Sequence, residues 1–421
     1  MNGDGRFGEV TARATPAGSA DATEKGVSVV GRVRQIAKWS DRAAADPRHD
    51  QRTAAILGIS LAVAFGTCFL TGMYSHLAQH PPSWFTLPAQ PAGLFRVTQG
   101  LHVATGIASV PLLLAKLWSV YPQFVKLPPV RSVLHLVERL SLVPLVAGAL
   151  FLLYSGIANI DLWYPLPVFF PTAHYWVAWL TIGALVAHIG AKLPITREVL
   201  RRRVSAADDP PCRANAVSVH RPQSPPRRRF LLSVAGASGV LTLLTVGQTV
   251  VPLRRFGLLA PRDPDVGTDG FPVNNTAEEA RVTDAASNPA WLLTVVGAVA
   301  APLELSVADL QSFPQHEAVL PIACVEGWSA SRRWRGVRLA DVLARAEASP
   351  GCSVTVRSLE TGLYAQSDIN PTQAAHPDTL LALEADGKVL SLDHGYPVRL
   401  IGPNRPGVMQ TKWLSHIEVH A

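Results

Sequence analysis

One cysteine stands in a setting suited to a soft metal. Cys324 lies in the run Pro321–Gly336, PIACVEGWSASRRWRG, and with Cys68, Cys212 and Cys352 it forms no CxxC pair and no Cys/His zinc spacing. A thiolate selects soft metals, so a single thiolate ligand implies a cofactor that brings the rest of its own coordination. The competing reading is an inert core cysteine. A second group with chemistry is a set of histidines in or beside apolar runs: His102, His135, His174 and His188. Imidazole is the usual protein ligand of haem iron, and an ionisable residue inside a membrane span is costly enough to be a functional candidate. His174 and His188 are fourteen residues apart, about 21 Å of helix and nearly whole turns, so both share one face, one near each membrane surface. His102 falls level with His174, and His135 level with His188. His76, just outside the first apolar run, is an alternative to His102. For any one of these histidines, a hydrogen-bonded or interfacial role is the competing reading.

The elements that must position these residues divide the chain in two. Hydrophobic residues make up 48% and charged residues only 16% of 421 residues, too apolar for an ordinary soluble protein of this size. The fold class expected is therefore multi-domain: an all-α transmembrane helical bundle with five spans, followed by a mixed α+β domain. Residues 1–52 read as a disordered cytoplasmic tail, 53–196 as a four-helix membrane domain, 197–229 as a flexible basic cytoplasmic linker, 230–253 as a fifth transmembrane helix, and 254–421 as an extracytoplasmic domain. Short β-type runs at Trp291–Val296, Ser353–Val356, Val398–Ile401 and Trp413–Val419 support the last of these.

Charge placement gives an orientation. The loop from Ser75 to Arg96 carries only Arg96, and the loop from Asp161 to His174 carries no Lys or Arg. The connection after the second span carries Lys116, Lys126, Arg131 and Arg139, and the one after the fourth carries a long series ending in Arg227, Arg228 and Arg229. Positive residues stay inside, so five spans put the C-terminal domain outside a multi-pass cell-membrane protein. The net charge of +7 belongs to these flanks and does not point to nucleic acid.

The residues around Cys324 resemble the sulfite oxidase family of molybdopterin enzymes. The family pattern, a C-V-E-x-W run followed by W-x-G-x-x-L, reads here as Cys324, Val325, Glu326 and Trp328, then Trp334, Gly336 and Leu339. The resemblance implies that Cys324 binds molybdenum and carries the catalysis, and that Asn274, Glu278, Thr361, His394, Arg399, Gln410, Thr411 and Lys412 hold the molybdopterin and its phosphate. The C-V-E-x-W form is close to the catalytic subunit of the periplasmic methionine sulfoxide reductase system, although Ile322 stands where that subunit carries an arginine. Sulfite oxidases have arginines a few residues after the cysteine, where this chain has Gly327, Trp328 and Ser329.

The first four spans resemble the di-haem cytochrome b subunits of bacterial formate dehydrogenases and hydrogenases, which implies haem b. Leu57 and Gly58 stand where that family has an inner ligand. The segment Pro225–Leu232, PPRRRFLL, resembles a twin-arginine export signal, and a positive-inside anchor explains the same arginines. Together these resemblances imply oxygen-atom transfer on a small substrate, an S-oxide, N-oxide or sulfite-like molecule, with electrons relayed through the membrane to or from a quinone or an electron-transfer protein. The partners expected are that substrate, membrane lipid and the electron partner. The alternative is a non-catalytic anchoring or assembly protein that keeps the fold without the metal.

Overall fold

The computed structural model describes residues 38, 46–124, 133–208, 225–362 and 364–421. Among these residues, five helices are long and apolar enough to cross a membrane: α1 (Gln51–Gln79), α2 (Leu94–Phe124), α3 (Val133–Ile160), α4 (Phe170–Asp208) and α5 (Pro225–Thr245). Asp50 caps α1, its carboxylate accepting from the Thr53 N–H at 2.6 Å. Large apolar side chains such as Val63, Leu70, Val97 and Trp176 stay exposed on the outer faces of these helices, as a lipid-facing surface requires.

Two boundaries differ from the sequence expectation. Residues 197–208 are not flexible linker but the continuation of α4, because Arg, Glu, Leu and Val without Gly or Pro prolong the helix. The expected linker residues 209–224 lie outside the described residues. The fifth helix starts at Pro225 and ends at Thr245, earlier than expected; short 3₁₀ turns at Val246–Gln248 and Val251–Phe256 follow. There a Cβ on Gly247 would lie 2.8 Å from the Gly257 Cα, so two glycines let the turns pack against each other.

Past the neck, the described residues form ten strands in two five-stranded sheets. The first has the order β2-β1-β10-β5-β6, made of Leu303–Leu305, Leu293–Gly297, Leu414–His420, Ser353–Ser358 and Gln366–Ile369. Within it β1 and β10 run parallel, with Thr294 opposite His416. The second holds β3 (Gln315–Ala323), β4 (Ser329–Arg338), β7 (Leu380–Ala385) and β8 (Lys388–Val389), with β9 (Arg399–Ile401) also paired to β7. Leu293, Val295, Val337, Val354, Val356, Leu414 and Ile417 fill one core. Phe271, Leu320, Ile322, Trp328, Trp334 and Ile401 fill the other, with Cys324 among them.

The sheet domain sits on one end of the helix bundle. Tyr74 at the end of α1, Phe95 and Arg96 at the start of α2, Asn159 at the end of α3 and Thr249 after α5 all bond to it. At the opposite end Arg227 pairs with Asp50 at 3.0 Å, and Lys116 donates to the Ala54 carbonyl at 2.6 Å. The α1–α2 and α3–α4 loops at the docked end carry only Arg96, while Arg254, Arg255 and Arg262 follow α5 there.

Candidate molybdenum and haem sites

Cys324 follows the last residue of β3, and the Cys324–Trp328 loop returns the chain into β4. The Cys324 N–H donates to the Trp328 carbonyl at 2.9 Å and the Gly327 N–H to the Cys324 carbonyl at 3.1 Å. Gly327 has φ +86°, a left-handed turn that glycine adopts at little cost. The hairpin therefore delivers the thiol to the floor of a narrow cleft lined by Phe271, Asn274, Trp328, His394, Arg399 and Lys412, among others.

Trp334 and Gly336 serve the sheet instead. The buried Trp334 indole donates to the Leu320 carbonyl at 3.3 Å, and Gly336 faces Ala382 where β4 and β7 shift register.

The cleft is rich in positive groups. Arg399 is buried, donates from Nη1 to the His394 carbonyl at 3.2 Å, and has a buried Nε with no hydrogen-bond partner among the described residues. Burial brings its guanidinium down to about 10. Lys412 donates from Nζ to the carbonyls of Asn275 and Asp393, and burial, helped by Arg399, brings its ammonium down to about 7. His394 is stacked on Phe271 with ring centroids 3.6 Å apart, and its Nε2 donates to the Thr268 carbonyl at 2.6 Å. Burial, then Arg399, holds its imidazole down to about 4. Burial first and Glu326 second push the Cys324 thiol far above its usual range. Asp393 also lines the cleft, but neither Arg399 nor Lys412 forms a close ion pair among the described residues, so both suit an anion, and a buried thiol reaches its thiolate form only beside a cation. A metal-bearing anionic cofactor satisfies both demands, so these residues fit molybdopterin.

The remaining sequence candidates are distributed around this cleft. Asn274 lines it. Glu278 and Thr361 are exposed and outside its lining. Glu278 is turned outward because Thr276 and Glu279 close the local turn, the Thr276 N–H donating to the Glu279 carboxylate at 2.8 Å. Gln410 is buried beneath, donating to the carbonyls of Pro321 and Arg405 at 3.2 Å each. Thr411 is bonded to Ser367 at 2.8 Å. Of the run 410–412, only Lys412 reaches the cleft lining.

Sequence reasoning missed Phe271, and it missed Arg405, whose buried guanidinium braces the loop by bonds to Met409, Asp368 and Gln373. The compact Gly-Pro-Asn-Arg-Pro-Gly run at 402–407 is the signal that a tight, internally bonded loop sits there. Glu326 faces the same region. Its carboxylate is held above the usual range by burial, accepts from the Trp328 indole at 3.2 Å and lies 3.4 Å from Arg262.

In the bundle, His102 on α2 and His174 on α4 face each other with ring centroids 6.2 Å apart. The His102 Nδ1 lies 2.9 Å from the Cys68 carbonyl, which only accepts, so Nδ1 carries the proton. The His174 Nδ1 lies 2.8 Å from the Ser155 hydroxyl, which itself donates to the Leu152 carbonyl. That assigns the proton to Nδ1 here too, and leaves Nε2 on both rings with the lone pair that a metal would need. Two metal–imidazole bonds of about 2 Å each, with the half-rings beyond them, bring centroids to roughly 6 Å apart. Gly72 and Gly156 stand against the two rings; a Cβ on Gly72 would sit 3.1 Å from His102 Cε1. This pair fits an iron between them.

The inner end differs. His188 is half-buried on α4, and His135 lies in α3 with its side chain outside the described residues. Leu57 packs on Ala115 and Val234 there, and the Lys116 ammonium reaches to within 3.4 Å of where a Gly58 Cβ would be. His76 is stacked on Tyr175 at 3.8 Å and does not take the place of His102.

Fold and site together define a molybdopterin-binding oxidoreductase joined to an apolar helix bundle, and comparison with known proteins agrees. Residues 279–421 match the family described as oxidoreductase molybdopterin binding domain. YuiH, an uncharacterized oxidoreductase of Bacillus subtilis (strain 168), is 31% identical over 152 residues, 36% of this chain and 74% of that one. YedZ1 of Azospira oryzae, a putative protein-methionine-sulfoxide reductase subunit, is 30% identical over 217 residues, 46% of this chain and 81% of that one. Mitochondrial sulfite oxidase of Mus musculus is 32% identical over 159 residues, 31% of this chain but only 29% of that one. The chain belongs to the molybdopterin-binding oxidoreductase family of sulfite oxidase and YedZ type.

Proposed function

We propose that this chain reduces a small neutral S-oxide or N-oxide at the outer face of a cell membrane, using electrons that cross the bundle through one haem b. The observation that carries the reading is the docking of the Cys324 cleft onto the end of the bundle where His102 and His174 face each other at 6.2 Å. In this reading Cys324 supplies the thiolate ligand, Arg399 and Lys412 neutralise the anionic cofactor, and His394 with Phe271 packs against it. When bound, molybdopterin supplies two-electron oxygen-atom exchange and haem supplies one-electron transfer.

The preference for a neutral substrate rests on where the arginines go. Arg332 donates to the carbonyls of Pro264 and Gly270 and lies 3.5 Å from Asp265, so it braces the neck. Arg262 is engaged with Glu326. An oxyanion such as sulfite would meet the Glu326 carboxylate, and the one guanidinium in the cleft lining, Arg399, is in this reading taken by the anionic cofactor. The α1–α2 and α3–α4 loops at the docked end carry only Arg96, which supports placing the cleft outside. The electron donor in this scheme is a quinol or a reduced electron-transfer protein. The packing at Leu57 and Lys116 supports a single haem at the outer end.

Metal analysis and absorption spectra of the purified full chain test the reading. Molybdenum is expected at about one per chain and lost in Cys324→Ser; a haem b band with two imidazole ligands is expected, lost in His174→Ala with molybdenum retained. Molybdenum binding that does not depend on Cys324 would reject the cleft assignment, and a wild-type protein without the band would reject the relay. Mixing dithionite-reduced protein with dimethyl sulfoxide should oxidise the haem band. Reduction of the oxidised band by sulfite instead would reverse the direction. A reporter after Ala421 should be active only outside the cytoplasm.

A further inference from the structure

Asn159 occupies the last turn of α3, and its Nδ2 donates to the Val325 carbonyl at 3.1 Å. Val325 is the residue after Cys324. The Asn159 Oδ1 accepts from the Tyr164 hydroxyl at 3.2 Å, which fixes the amide with its nitrogen toward the outer domain. One turn earlier on the same helix, the buried Ser155 hydroxyl bonds the His174 Nδ1 at 2.8 Å. Ser155 and Asn159 are spaced i and i+4, so the Asn159 N–H bonds the Ser155 carbonyl, and the rise between them is about 6 Å.

We infer that this turn is the electron route between the two centres, with Asn159 as the residue that couples them. The path runs from His174 to Ser155, along one helical turn to Asn159, and across the domain boundary to Val325 and Cys324. The inference rests on the reading that His102 and His174 hold haem. Reduction of one S-oxide takes two electrons and two protons and yields a sulfide and water. A quinol or reduced carrier protein would supply these electrons, which would travel singly along this path. Tunnelling falls off less steeply through bonded atoms than across a gap, so a hydrogen bond at the boundary matters to the rate.

The other hydrogen bonds across the boundary lack one end of the path, and Phe95 on α2, seven residues before His102, meets Ala323 and Val325 through apolar packing. Thr249 bonds the Gly327 carbonyl of the same loop, but it follows α5, which carries neither histidine of the pair. Tyr74 bonds Asn404 in the 402–407 loop, which meets Ala323 by packing at Gly407. Asn159 alone among these is one turn from a residue bonded to His174 and also bonded to the neighbour of Cys324.

The test is flash photoreduction of the purified full chain, following one-electron equilibration between the centres by haem absorbance and the molybdenum EPR signal. This readout needs no substrate, so it stands whether or not S-oxides are the substrate. Asn159→Leu removes both hydrogen bonds at similar volume and should slow equilibration by an order of magnitude, with haem spectrum and molybdenum content unchanged. Tyr164→Phe frees the Asn159 amide and should slow it by a smaller factor, which preserves the test if the leucine variant folds poorly. Thr249→Val loosens the same loop off the route and should leave the rate at the wild-type value. An unchanged rate in both Asn159→Leu and Tyr164→Phe, or equal slowing in Thr249→Val, would overturn the assignment. A wild-type chain with no haem band would instead remove the relay reading itself.

Discussion

Asn404 and Tyr74 join the two halves of the molecule: the Asn404 Nδ2 donates to the Tyr74 hydroxyl at 3.0 Å, from a loop of the sheet domain to the end of α1. The same buried amide donates to the Pro88 carbonyl at 2.6 Å and accepts from the Phe95 N–H at 2.7 Å. Every polar atom of the side chain is therefore committed to the membrane part. Asn404 also has φ +51°, a conformation that Asn tolerates better than most residues.

Asn404→Ala should weaken this docking by about 3 kcal/mol, since it strands a buried N–H and a buried carbonyl. The measurement is limited proteolysis of the neck between α5 and β1, expected to become faster than in wild type while α1 to α5 stay protected. Tyr74→Phe keeps the Pro88 and Phe95 bonds and should have a smaller effect. Equal protection of the neck in all three proteins would show that this contact does not hold the domains together.

Arg399 and Lys412 are the two strong bases in the cleft lining. Arg399→Gln and Lys412→Met should each lower pterin content severalfold while the protein stays folded, because each removes a buried charge that is costly without the cofactor and an anion partner when it is bound. Pterin fluorescence after oxidation reads the content. Full pterin in the double variant would place the anion site elsewhere.

The His394 imidazole has a folded pKa of about 4 against an ordinary 6.5. The unfolded chain therefore binds more protons between those values, and stability rises with pH across that window and is lost as pH falls toward 4. Facing it are Arg399, Lys412, Asp269 and the Thr268 carbonyl; Arg399 and Lys412 oppose the charged form, while Asp269 and the carbonyl favour it. In cofactor-free protein, the thermal midpoint of the outer domain should climb from pH 4 to 6.5, and His394→Gln should flatten that climb. A climb of the same size in the variant would assign it to another group.

Gly336→Ala should destabilise the outer domain by about 3 kcal/mol through overpacking. A Cβ there would lie 2.7 Å from the Ala382 Cα and still closer to the Leu381 carbonyl, backbone atoms that cannot rotate away. Chemical denaturation followed by tryptophan fluorescence reads this, because Trp334 on the same strand is fully buried. A variant as stable as wild type would mean that β4 and β7 move apart more easily than their pairing suggests.

The helix bundle was legible because its signal is local. A run such as Thr53 to Tyr74 satisfies its own backbone hydrogen bonds and needs only length and apolarity to be recognised. Helix extent was less legible, since α4 continues to Asp208 through a charged stretch whose helical preference the hydropathy pattern does not report. Cys324 was readable as a lone thiol with a distinctive neighbourhood, yet the β3–β4 hairpin that presents it was not. Arg332, Arg333 and Arg335 look like a solvated loop until Asp265, Asp386 and Glu384 arrive from distant segments to pair with them or bond their backbone.

By itself the sequence determined the five apolar spans, the charge asymmetry around them, the isolated setting of the Cys324 thiol and the same-face spacing of His174 and His188. Those depend on residue type and on helical periodicity, both local properties. Only the tertiary structure decided that His102 meets His174, that Lys412 reaches the cleft while Thr411 turns to Ser367, and that Asn159 touches Val325. Each of these joins segments tens to hundreds of residues apart, and the packing that brings them together depends on the whole chain at once.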